Sequence, residues 1–114
     1  MNQEIIEIIS QAIHERKPIQ FEYVKEGKPQ GYRKANPHIL FSGITKEGIH
    51  KTWVHLVQTD GVSETLTTFP DWRSMVVDYM KDVIILREQS NFEIFRDYNP
   101  NGEVYNGTRI IAKV

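Results

Sequence analysis

At 114 residues, with a formal net charge of −1 and no cysteine, the chain suits one domain with a single core and needs no disulfide or metal to hold it. The lack of cysteine excludes disulfides, thiol catalysis, zinc–thiolate sites and iron–sulfur clusters, and the near-neutral balance argues against generic polyanion binding. That balance is uneven: residues 14–55 carry eight Lys/Arg against four Asp/Glu, whereas residues 56–114 carry six against nine, so the first half can present a locally positive surface.

Residues 3–16 read as a helix. Ile5, Ile9 and Ala12 form an apolar stripe that Ile6, Ile8 and Ile13 widen. Asn2 is placed to cap it, Glu4 and Glu7 suit its positive end, and Pro18 stops it. The segments that follow read as strands. Ile19, Phe21 and Tyr23 alternate with polar residues over 19–24. A turn-rich connection then leads to a strand over 32–41, where Pro37 implies an edge or a bulge. Further strands fall at 49–58, 72–77 and 82–86. Asp60-Gly61 opens a longer loop that runs to Pro70-Asp71. The polar run Asp78 to Lys81 reads as a tight turn that would join the last two strands as adjacent antiparallel neighbours. In the tail, 87–114, Phe92 and Phe95 can anchor a loop. Tyr98 to Gly102 is turn chemistry, and 108–114 can form a final strand.

One helix and five short strands predict a mainly β fold, a small closed barrel, because closure removes exposed strand edges. An open sheet with the helix on one face is the competing architecture. No segment approaches the roughly 20 apolar residues of a membrane span. Met1 to Glu4 lacks the basic and apolar character of a secretion signal. A cytoplasmic location is therefore expected.

Several segments in order carry a family resemblance. Arg33-Lys34-Ala35-Asn36-Pro37-His38 resembles an Arg-x-x-acid-Pro element, with Asn36 in the acidic place. Gln58-Thr59-Asp60-Gly61-Val62-Ser63-Glu64 resembles a Gln-x-x-Gly-x-Ser segment. Trp72 to Asp78, continuing to Leu86, resembles an Arg-x-Phe-x-x-Asp element followed by a barrel strand, with Met75 in the aromatic place. Tyr98-Asn99-Pro100-Asn101 resembles the matching tail. Together they resemble the WYL domain of bacterial transcription regulators, and in particular its small stand-alone members without a helix-turn-helix. Thr52-Trp53-Val54 stands where the family-naming tripeptide would. The resemblance implies a single domain over 1–114. It also implies a five-stranded barrel of the Sm and Src-homology-three type, and a role in binding nucleotides or nucleic acid.

The candidate ligand-binding residues are Arg33, Arg73, His55, Trp53, Tyr23, Gln58 and Ser63. Guanidinium groups match phosphate oxygens in a fork and stack on bases. Trp53 and His55 share a strand face by the period of two, a pairing suited to stacking, although a purely structural Trp53 in the core is the simpler reading. Tyr23 can bring its hydroxyl to a barrel mouth or be a core tyrosine. Gln58 and Ser63 can orient a ligand or cap a turn. Arg33 and Arg73 can instead pair with carboxylates such as Glu22 or Asp71.

His14, His38, His50 and His55 have no metal-ligand spacing. No phosphate-loop, dinucleotide or nucleophile-elbow motif occurs. No catalytic residue, metal or cofactor is therefore expected, and the chain reads as a binding module rather than an enzyme. The expected partners are a nucleotide or single-stranded nucleic acid, with no membrane. The alternative is an accessory subunit that contacts a regulator protein and takes no small ligand.

Overall fold

The computed structural model describes residues 2–63 and 68–114. Its first element is α1 (Gln3–Glu15), which buries Ile9, Ala12 and Ile13. Ile5, Ile6 and Ile8 pack partly against the same core, the stripe the sequence predicts. The start of α1 departs from expectation. Asn2 is itself helical (φ −88°, ψ −5°) and makes no capping bond, because an N-cap needs extended backbone. Its side-chain amide donates instead to the Asp78 carboxylate. At the other end Arg16 turns left-handed at φ 54°. The amides of Arg16 and Lys17 return to Ile13 and Ala12, a Schellman closure.

Six strands follow: β1 (Ile19–Tyr23), β2 (Tyr32–Ile44), β3 (His50–Gly61), β4 (Asp71–Val76), β5 (Met80–Ile85) and β6 (Arg109–Lys113). All pairs are antiparallel, in the order β4-β3-β2-β1-β5, with β6 on β2. The long β2 organises the sheet. One side of it carries β3, and the other carries β1 on its first part and β6 on its last part. Its pairing with β3 slips between Pro37 and Ile39, the bulge that Pro37 implies.

Among the described residues the five expected strands are present and β6 supplies the final strand that the tail allows over 108–114. The expectation that fails is the closed barrel, because β4 and β5 are not neighbours. They end the two opposite edges, no ladder joins them among the described residues, and the sheet is not a hydrogen-bonded closed barrel. The cause lies in their connection. The 3₁₀ turn Val77–Tyr79 buries Val77 completely, so the chain crosses the end of the core rather than reversing at an edge. The Val76 amide on β4 donates to the Tyr23 hydroxyl at 3.0 Å, a side chain taking the place of a strand.

The core lies between α1 and one face of the sheet, with Ile19, Phe21, Leu40, Val54, Leu56, Met75, Val77 and Met80 at its centre. Phe41, Trp53 and His55 face away from it; Trp53 stacks on Phe41, and Phe41 and His55 pack against Tyr105 of the C-terminal segment. Among the described residues no helix is long and apolar enough to cross a membrane.

Candidate anion-binding site

Register brings the candidate residues together. Arg33 pairs with Phe21 on β1 and with Gly61 on β3, which sets it at the end of the core face. It is only 3% exposed, and its guanidinium lies over the Tyr23 ring, 5.6 Å from the centroid, a cation–π contact. Gly61 is needed opposite it. At φ +101°, an added Cβ would lie 2.2 Å from the Tyr32 carbonyl oxygen and 2.7 Å from the Arg33 Cα.

Arg73 stands on β4 opposite Leu56. Its Nη1 pairs with the Asp71 carboxylate at 3.4 Å and donates to the Trp72 carbonyl at 2.9 Å. Its Nη2 donates to Ser63 Oγ at 3.2 Å. The Asp71 pairing weighed in the sequence is therefore made, yet the guanidinium still borders open space.

A cavity of about 150 Å³ along the β4 edge is lined by Arg33, Arg73, Tyr23 and Trp53, together with Lys25 and Lys28 from the β1–β2 turn. No described carboxylate lines it. Four cations thus border one small space on a chain with almost no net charge, one of them, Arg73, paired with Asp71. Burial pushes the Tyr23 hydroxyl above its ordinary pKa of 10, so it stays neutral beside the cations and adds no opposing charge.

Trp53 borders that cavity from the other face of the sheet, and the remaining candidates fall elsewhere. Trp53 is not core. It is half-buried on the opposite face and stacks on Phe41 at 5.6 Å and 22°. His55 shares that face but does not line the cation-rich cavity. Its Nδ1 meets the Tyr105 hydroxyl at 2.8 Å, and burial lowers its pKa. Gln58 is fully buried and holds the turn that follows it, its Nε2 donating to the carbonyls of Asp60 and Val62 at 3.1 and 2.8 Å. Both partners are acceptors, so the amide orientation is fixed, and Gln58 Oε1 is left buried without a hydrogen bond. Ser63 acts through Arg73. Glu64, which closes the same motif, lies outside the described residues, as does part of the loop before Pro70.

Sequence reasoning missed Lys25 and Lys28 as site residues, reading their segment as a connection only; the local +4 balance was the signal that included them. It also missed Tyr98 and Tyr105, which give the tail its hold on the sheet. Among the described residues no three His, Cys, Asp or Glu gather as metal ligands.

This geometry defines a small mainly β module with a cation-lined cavity at an unclosed sheet edge. No protein-family model matches the chain, and no curated protein matches it. A solved structure does: proteasome accessory factor B/C (PafBC) of Arthrobacter aurescens, with a TM-score of 0.67 and 17% identity, over 91% of this chain and 14% of that one. At that identity the likeness shows a shared fold alone.

Proposed function

We propose that this chain is a non-enzymatic regulatory module of the WYL type. It binds an anionic ligand, a nucleotide or short single-stranded nucleic acid, through Arg33, Arg73, Lys25 and Lys28 beside Tyr23 and Trp53. The observation that carries this reading is the convergence of four cations on one cavity that no described carboxylate lines. The ordered WYL-like motifs support the regulatory part, and the fold shared with PafBC supports the architecture. Lysines supply mobile point charges, and the two arginines supply planar forks that fix phosphate geometry.

The test is titration of the parent and of Arg73→Ala with pyrophosphate, mononucleotides and short single strands at two salt concentrations. Losing one charge-assisted contact weakens a nucleotide by about 1.5–3 kcal/mol. For a single strand it lowers the log–log salt slope by about one unit. Unchanged affinity in Arg73→Ala and in Lys25→Ala/Lys28→Ala, both folded, refutes the reading and favours the accessory-subunit alternative.

A further inference from the structure

The aromatic side chains of the tail face fall into two clusters. His38, Trp72, Phe92, Phe95 and Tyr98 are joined by ring contacts. Phe41, Trp53, His55 and Tyr105 form the other. Among the described residues no ring contact bridges the two. Between them is a cavity of about 410 Å³, bordered by Trp72 and Tyr98 from one cluster and by His55 and Tyr105 from the other. The β3–β4 register sets Ser74 opposite His55, so a small side chain sits where a large one would fill the space.

The walls are held in place before any ligand arrives. Phe95 N–H donates to His38 Nε2 at 3.0 Å, Trp72 Nε1 to the Arg96 carbonyl at 3.3 Å, and the Tyr98 hydroxyl to the Val114 carbonyl at 3.2 Å. Polar groups line the edge of the space: Asp97, with its left-handed backbone at φ 68°, Asn99 and Arg73. Arg73 and Ser74 border this cavity and the cation-lined one alike.

We propose that this slot receives one flat nitrogen heterocycle of nucleobase type, and that the ring and phosphate of a single nucleotide occupy the two adjoining cavities. The joint occupancy rests on the anion reading above, whereas the ring site does not. The volume lies in the usual range for small-molecule sites, about 300–1,000 Å³. Aromatic walls on two sides offer stacking and edge-to-face contacts. Asp97 supplies an acceptor for a base's exocyclic amino group, so cytidine, adenosine and guanosine should bind better than uridine.

The two tryptophans separate the sites, since Trp72 borders the slot but not the cation-lined cavity, and Trp53 borders the latter but not the slot. The experiment titrates Trp53→Phe, in which Trp72 is the sole indole, with uncharged nucleosides, and titrates the parent chain, whose cation-lined cavity keeps Trp53, with inorganic pyrophosphate by calorimetry. Cytidine is expected to change Trp72 emission. Ser74→Phe should abolish that response, with circular dichroism unchanged. Tyr105→Ala should weaken it about 5- to 150-fold, the equivalent of one stacking contact. Nucleosides that leave Trp72 emission unchanged at millimolar concentration, while pyrophosphate still binds, overturn the slot and spare the anion site. Nucleoside binding without any pyrophosphate binding keeps the slot and overturns the joint occupancy.

Discussion

Replacing His38 with phenylalanine tests how the tail is fixed to the sheet. His38 is fully buried at the β2 bulge. The Phe95 amide can only donate, so Nε2 is the acceptor of their 3.0 Å bond. The proton therefore sits on Nδ1 and is donated to the Asn36 carbonyl at 2.9 Å. The ring is neutral in this arrangement, and burial holds its pKa below the ordinary 6.5. The folded state thus binds fewer protons than the unfolded chain. Its contribution is complete above about pH 6.5 and is lost as pH falls through that value towards the folded pKa, by about 1.4 kcal/mol for each unit of depression. His55, also lowered by burial, adds to the same slope. Phenylalanine keeps the contacts with Trp72, Phe92 and Tyr98 but leaves the Phe95 amide without its acceptor, so His38→Phe should lose about 1–3 kcal/mol at neutral pH. Urea unfolding between about pH 8 and pH 5 should also show a shallower pH dependence than the parent. Equal midpoints at neutral pH, or an unchanged slope, would refute the tautomer argument.

Two further substitutions probe the frame of the site. Ile9→Asp places a carboxylate at a position with no exposure and should remove several kcal/mol, about 3 or more, of the roughly 5–15 that a domain has; a thermal melt that overlays the parent would contradict the packing of α1. Gly61→Ala forces its Cβ into the Tyr32 carbonyl at a left-handed φ and should destabilise by more than about 1 kcal/mol. Because Gly61 pairs with Arg33, anion affinity should fall with it, and a variant of parental stability and affinity would show that the close approach is not needed.

The parts of the fold that were legible in the sequence are those written in local periodicity. The isoleucine spacing gave α1 and its buried face, the alternation of Ile19, Phe21 and Tyr23 gave β1, and Pro37 marked the bulge. The place of β5 was not legible. A short polar run after β4 reads alike whether the chain reverses at an edge or crosses the core, and the difference rests on Val77, one more apolar residue in an apolar run. Period two also put Trp53 and His55 on one face without telling which face is core. Tyr105, which meets His55, lies fifty residues away, in a segment whose letters spell only turns, so no local pattern announces the contact.

The unclosed edge explains why one strand borders two cavities. Side chains alternate along β4, so Arg73 and Met75 point to the core side while Trp72 and Ser74 point to the tail side. An edge strand exposes its flank, so residues of both faces border the adjoining spaces, as the shared Arg73 and Ser74 do. A fifth strand hydrogen-bonded to β4 would occupy the flank along which Arg33, Lys25 and Lys28 now gather. The 3₁₀ turn prevents this by carrying β5 to the far side of β1, and the Tyr23 hydroxyl accepts from the Val76 amide at the strand's end. The departure from a closed barrel is therefore what leaves a cation-lined space beside an aromatic one, the two spaces that the proposed nucleotide would occupy.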